Sequence, residues 1–252
     1  FRNGVTTELC DWCNADARDS ILRVVKQPGS ILEVTIRDTT IQISREVETT
    51  TMKTYRMEKN IFSWTDAAFQ LKALYKDEIW DMGVDHPGKW QGGANILVWT
   101  DNFDQTFKCF YNGMIYDLES QLPKYSFTCD NTVAYLDYNG NFKIFYKGKT
   151  KEISAFEPSN LTARDELVCY GMSNEFKVFY DGKEYTLENY IPKHYGLHGN
   201  TLVYMDYYER LAIFSAGEQK RNLSLEKIRD LSITYDVVLY TTGINTVNAY
   251  WE

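Results

Sequence analysis

At 252 residues the chain can bury one sizeable core or two small ones. Its 44% hydrophobic content, with 19 Tyr, 13 Phe and 6 Trp, argues against a disordered chain and favours strands, since aromatic rings suit a pleated, half-buried surface. A formal net charge of −8 with scattered basic residues argues against a nucleic-acid or anionic-lipid surface, and no apolar run reaches the roughly 18–20 residues of a membrane helix.

The chain starts at Phe1 without an initiator Met, so either a signal peptide has been removed or the sequence begins late. Cys10 and Cys13 stand in Cys-Asp-Trp-Cys, a redox dithiol on the sharp reading and a local disulfide or a pair of idle thiols on the plainer one. No His follows Cys13, no second Cys-x-x-Cys completes a zinc set, and no βαβ pattern surrounds the pair. Residues 14–27 admit a short helix capped by Asn14 and stopped before Pro28-Gly29. Ser30 to Arg45 read as a hairpin turning at Asp38-Thr39.

From about residue 50 a repeat takes over. Segments ending at Asp66, Asp101 and Asp137 (IFSWTD, ILVWTD, TVAYLD) are followed more loosely by 166–171, 201–206 and 237–242. Their shared aromatics, Trp64, Trp99, Tyr135, Tyr170, Tyr204 and Tyr240, lie 35, 36, 35, 34 and 36 residues apart. A second column runs in step: Phe107-Lys-Cys-Phe-Tyr-Asn-Gly, Phe142-Lys-Ile-Phe-Tyr-Lys-Gly and Phe176-Lys-Val-Phe-Tyr-Asp-Gly, with weaker members at Leu71 and Leu211 and a last one opening at Val247. Within one unit, strands are expected at 125–129, 132–137, 142–147 and 150–154. Asn112-Gly113, Lys147-Gly148 and Asp181-Gly182 suit two-residue hairpin turns, and Asn139-Gly140 marks another turn.

A period this short leaves no room for crossover helices, so neighbouring strands are antiparallel. Repeating a four-stranded sheet radially covers both its faces and leaves only short edges, so the expected fold is an all-β single propeller spanning 1–252. Six repeats are clear over 50–252, and seven of about 36 residues would use the whole chain, so six or seven blades are expected. Segment 1–49 would supply ring closure or an extra blade. The last repeat reaches Glu252 just after its third strand, and a strand from 1–10 or 30–45 is expected to complete it. In strand order and period the chain resembles β-propellers of the TolB and WD-repeat type, although the Gly-His and Trp-Asp signatures of true WD repeats are absent.

Little in the sequence assembles a catalytic centre. The recurring Asp66, Asp101, Asp137 and Asp206 fall on separate repeats, too far apart for an acid/base pair. Each closes a strand where a carboxylate can accept backbone N–H groups two residues on. Asp137-Tyr-Asn-Gly-Asn141 looks like part of a calcium loop, but Gly148 stands where the loop needs its acidic residue. His194 and His198, in a strand pattern, would stand about 13 Å apart, too far to share a metal. No nucleophile elbow or phosphate loop occurs, and no cofactor is expected. Asn160 and Asn222 open glycosylation patterns that occur often by chance.

The expected function is therefore protein binding without turnover. The Lys/Asn/Tyr/Phe-rich wording of the repeats resembles small propellers of bacterial envelopes, among them accessory or plug subunits of the type IX secretion outer-membrane translocon. That resemblance implies a periplasmic or secreted protein whose partner is a larger envelope complex. The interaction surface is expected in the loops between repeats, 83–92, 155–160 and 189–195, with Trp90, Tyr190 and His194 as its contact residues. The competing expectation is a glycan-binding propeller or carbohydrate-active enzyme using Trp12, Trp80 and Trp90, but no Arg/Glu/Trp set repeats outside the strands.

Overall fold

Short runs rich in Val, Ile, Phe, Tyr and Thr, separated by Gly, Asn and Asp, settle as strands joined by tight turns. The computed structural model describes residues 13–18, 21–26, 31–36, 39–43, 55–66, 68–220, 223–224, 226–234, 237–243 and 246–251. The chain divides into two compact units, Phe1–Ser120 and Gln121–Glu252.

The first unit holds three four-stranded antiparallel sheets with strands in chain order. They are β1–β4 (Cys13–Arg18, Ile21–Lys26, Ile31–Ile36, Thr39–Ile43), β5–β8 (Tyr55–Glu58, Ile61–Thr65, Gln70–Tyr75, Glu78–Asp85) and β9–β12 (Trp90–Gly92, Ile96–Asp101, Thr106–Tyr111, Met114–Glu119). The second unit repeats the plan. It holds β13–β16 (Tyr125–Thr128, Thr132–Leu136, Phe142–Tyr146, Lys149–Ser154), β17–β20 (Ser159–Arg164, Leu167–Met172, Glu175–Tyr180, Lys183–Glu188) and β21–β24 (Tyr195–His198, Thr201–Met205, Leu211–Ser215, Glu218–Lys220). A last sheet, β25–β27 (Ile228–Thr234, Val237–Thr242, Thr246–Trp251), has three strands among the described residues.

Residues 14–27 are not a helix. β1 and β2 pair in register from Cys13↔Lys26 to Arg18↔Ile21. Ile21, Val24 and Val25 are β-branched and lose side-chain freedom in a helix, whereas pairing suits them. The hairpin expected over 30–45 is present as β3 and β4, paired from Leu32↔Ile43 to Ile36↔Thr39. Since β3 also pairs with β2, this segment belongs to its own sheet and is not the strand that completes the last one. The other donor considered, residues 1–10, lies outside the described residues, as does Cys10 of the candidate disulfide.

Five of the six repeated aromatics are core, and the sixth, Tyr240, is half-buried against it. Trp99, Tyr135, Tyr170 and Tyr204 are fully buried and Trp64 nearly so, each on the second strand of its sheet. Within the first unit, Val34 and Ile36 pack on Phe62, Trp64 and Leu74 of the next sheet, whose other face packs on Leu97, Trp99 and Phe110. In the second unit, Phe142 and Ile144 meet Val168 and Tyr170, Phe176 and Val178 meet Tyr204 and Phe214, and Val203 and Ile213 meet Ile228 and Val238.

The Phe-Lys column has its own structural cause. Register shifts at Phe107/Lys108, Phe142/Lys143 and Phe176/Lys177 each leave one extra residue in the fourth strand. Those residues are Leu118, Ile153 and Leu187, turned toward the core. The hairpins at Asn112-Gly113, Lys147-Gly148 and Asp181-Gly182 have positive φ at both central residues, the mirror-image turn that matches strand twist.

The buried cysteines follow from the same packing. Cys109, Cys129 and Cys169 are free, and burial pushes each thiol's pKa up. Two outcomes are expected. Tyr135→Ala or Trp99→Ala should lower unfolding free energy by about 3–5 kcal/mol in chemical denaturation, the cost of deleting a buried ring. Iodoacetamide should label Cys109, Cys129 and Cys169 only after denaturation, as read by peptide mass spectrometry.

Candidate partner-binding groove

Because strands alternate in direction, the connection between second and third strands leaves from the same end of a sheet as the connection to the next sheet. The two remaining hairpin turns lie at the other end. In the second unit those turns meet from sheet to sheet. The Asp130 N–H donates to the Asp165 carbonyl (2.6 Å), the Glu166 N–H to the Gly199 carbonyl (3.3 Å), and the Gly199 N–H to the Asp165 carboxylate (2.8 Å). The Tyr146 hydroxyl and the Lys147 ammonium both reach Asp181. The links between sheets at this end are polar, although Phe127, Val237 and Trp251 are also exposed there.

The loop end is aromatic. Tyr138, Phe156, Tyr207 and Tyr208 are 60%, 75%, 76% and 62% exposed, all on second-to-third-strand loops or sheet-to-sheet connections of the second unit. In the first unit, Phe69 and Phe103 occupy the same kind of loop and are 54% and 93% exposed.

The recurring aspartates hold these loops. Asp66 accepts from the N–H groups of Ala68 and Gln70, and Asp101 from Phe103 and Asp104. Asp137 accepts from the Asn141 N–H and side-chain amide, and Asp206 from the N–H groups of Tyr208 and Arg210, both at 2.8 Å. Each carboxylate is committed to its own turn. Burial of Asp137 pushes its pKa up, but Lys143 at 2.9 Å and the Asn141 donors outweigh that and hold the carboxyl at about 2. Among the described residues no group of three or more His, Cys, Asp or Glu is placed to hold a metal.

The loop end of the last two sheets opens into a groove of about 1080 Å³. Its floor is Pro192, Met205 and Ile228, and its rim includes Tyr190, Lys193, His194, Tyr207, Glu209 and Arg229. The Met205 N–H donates to the His194 carbonyl (3.0 Å), tying the 189–194 connection to β22. The Ile228 N–H donates to the Glu209 carbonyl (2.7 Å), and Lys227 lies 2.8 Å from the Glu209 carboxylate, closing one wall and holding that carboxyl below the usual range. Tyr190 meets Tyr207 edge to face at 5.9 Å, Tyr207 meets Tyr208 at 5.6 Å, and the Arg210 guanidinium lies 4.8 Å from the centre of the Tyr208 ring.

The fold thus places Tyr190 and His194 in one groove. Trp90 belongs to the first unit, on β9, half-buried against that unit's core with the Arg56 guanidinium 5.6 Å from its ring centre. Trp80 is likewise half-buried, and Trp12 lies outside the described residues. The exposed rings of Tyr207 and Tyr208 are residues the repeat pattern does not single out, although an aromatic directly follows both Asp137 and Asp206, the aspartates that close those strands.

Asp137 supplies a pH test. Its folded pKa lies below that of an unfolded aspartate, so its ion pair and hydrogen bonds add stability that is complete above about pH 4 and lost as pH falls toward 2. Asp137→Asn should cost about 2 kcal/mol at pH 7 and almost nothing near pH 2, as read by denaturation across that range.

A family model described as a 10-bladed beta propeller domain matches residues 1–252. No curated protein matches the chain. Similar solved structures include the CRINKLY WD40 ectodomain of the receptor kinase ACR4 from Arabidopsis thaliana, at 7% identity and TM-score 0.41, covering 95% of this chain and 94% of that one. Prp20p from Saccharomyces cerevisiae aligns at 8% identity and TM-score 0.44, over 82% and 76% of the two chains. The computationally designed Ika8 protein aligns at 17% identity and TM-score 0.38, over 94% and 82%. The family match corrects the expectation of a single propeller of six or seven blades: the described residues form seven sheets, while the family is ten-bladed. Counting repeats measures how many sheets a sequence holds. The number in a ring depends on the angle between neighbouring sheets, which a sequence period does not encode. On this full-length match, the chain belongs to the ten-bladed β-propeller domain family.

Proposed function

We propose that this chain is a protein-interaction module that works without turnover, and that its partner binds the groove rimmed by Tyr190, His194 and Tyr207. The observation that carries this reading is the set of exposed rings, Tyr138, Phe156, Tyr207 and Tyr208, at the loop end of the second unit. Exposed rings on short, internally bonded loops are already ordered before a partner arrives, which lowers the entropic cost of binding. Propeller folds of this kind commonly serve as interaction scaffolds. The carboxylates best placed for chemistry, Asp137 and Asp206, are taken up by their own loops. A periplasmic or secreted setting, within a larger envelope complex such as a secretion translocon, completes the proposal and rests on the resemblance of the repeats.

Tyr207→Asp, on a groove ring 76% exposed, should abolish copurification of the partner from the native host while leaving the circular dichroism spectrum unchanged. Tyr190→Asp and Trp90→Asp are poorer probes, because half-buried rings report on packing as well as on contact. Hydrolysis of a glycan or peptide panel by the wild type, lost on mutating one Asp or Glu, would overturn the reading.

A further inference from the structure

Consecutive sheets meet near their turn ends through a recurring pair of rings. Tyr75, Tyr146 and Tyr180 each end the third strand of a sheet, and each packs edge to face on a phenylalanine of the next sheet. The pairs are Tyr75–Phe110, Tyr146–Phe179 and Tyr180–Phe214, with ring centroids 5.5, 5.7 and 6.1 Å apart. Each of these phenylalanines stands last but one in its own third strand. At the last two sheets the pattern changes. β23 ends on Ser215, which has no ring to give, and Tyr250 stands last but one in β27. The register makes the positions equivalent: Ser215 pairs with Thr201 at the start of β22, as Tyr146 pairs with Thr132 at the start of β14. The turn residue that follows is shorter too, Ala216 standing where Lys147 and Asp181 stand in the two sheets before.

A cavity of about 250 Å³ opens beside Ser215, and Tyr250 lines its far side. The corresponding space beside Tyr146, lined by Asn131 and Thr132 where this one has Asn200 and Thr201, is about 120 Å³. Ile213, Ile233 and Val238 make the rest of the apolar wall, and an apolar cavity of about 150 Å³ already takes up benzene. The remaining wall is polar but uncharged. The Thr201 and Ser215 hydroxyls lie 3.0 Å apart, and the Thr201 hydroxyl donates to the Asn200 side-chain carbonyl at 3.2 Å. Hydroxyls and amides both donate and accept, so this wall suits a single ligand hydroxyl. Among the described residues no charged side chain lines the cavity, and an ion entering it would lose its water without gaining a partner.

We propose that this cavity binds one phenolic ring, seated in the space that Tyr146 and Tyr180 fill with their own rings between earlier sheets. The ring belongs either to a free small phenol or to a tyrosine of a partner protein. The site lies at the turn end of the last two sheets and the groove at their loop end, so the proposal does not depend on the groove.

Isothermal calorimetry of the whole chain with p-cresol, beside methylcyclohexanol as a saturated ring of similar outline, provides the test. Saturable binding of p-cresol is expected, at least tenfold tighter than that of methylcyclohexanol. Ser215→Tyr and Ser215→Phe supply the ring from within the chain, and both should abolish binding while raising the thermal midpoint. Phe103→Ala removes an exposed ring of the first unit and should bind p-cresol like the wild type. A capped Gly-Gly-Tyr-Gly-Gly peptide separates the two sources. Tighter binding than p-cresol assigns the site to a partner's tyrosine, and weaker binding assigns it to a free phenol. No saturable binding of either probe, equal binding of methylcyclohexanol, or unchanged binding in both Ser215 variants overturns the proposal. Each of those outcomes leaves the groove reading standing, since that reading is tested by Tyr207→Asp at the other end of the sheets.

Discussion

Two-sided burial is the constraint from which the rest of this structure follows. The second strands β6 and β14 are buried at every residue, so side chains pointing to either face of those sheets are withdrawn from water. A sheet apolar on both faces is not stable alone, and the inner sheets β5–β8 and β17–β20 are covered on both faces by their neighbours within their unit. That requirement explains why aromatic rings occupy the column: one large ring per sheet fills the space between two pleated faces and buries much area per residue. It also explains the fourth strands. β16 and β20 carry Lys and Glu because they lie at the outer edge, where charge blocks pairing with a foreign strand.

Burying tyrosine adds a second demand, since its hydroxyl needs a partner away from water. Tyr170 donates to Glu184 and Tyr204 to the buried Glu188, each at 2.8 Å. Lys151 of the preceding sheet meets Glu184 in turn, so the polar requirement of a core ring is met by a link between sheets. The aspartates do for the loops what these glutamates do for the rings. By accepting the loop amides they free the tips of those loops from any role in folding, which is why Phe103 and Tyr207 can stand in solvent.

The period, the buried column, the hairpin turns and the aspartate-held loops were legible in the sequence because each recurs at a fixed offset and each has a local cause. The groove was legible only in part. Tyr190 and His194 stood out as residues of a divergent connection, but Tyr207, Met205 and Ile228 come from two other segments that share no pattern with it. Trp90 illustrates the opposite difficulty: its loop diverges, yet the ring packs inward, and a single sequence does not reveal which way a side chain at a strand start points. Segment 14–27 read as a helix because Asn14 and Pro28 resemble cap and stop. Pairing between its two halves is a non-local fact that local signals miss.

The links between sheets have a consequence for how the second unit folds. Tyr146 to Asp181, Lys151 to Glu184, and Asp165 to Gly199 are separated by 35, 33 and 34 residues, about one repeat in each case. Each of these links therefore closes a chain loop of the same modest length, and each binds a sheet only to the one before or after it. Such a molecule behaves as a one-dimensional array: a pair of adjacent sheets can nucleate anywhere along it and the rest can add in either direction. Its gene can gain or lose a whole repeat without breaking the rules that join neighbours, so blade number is a quantity evolution can change in single steps.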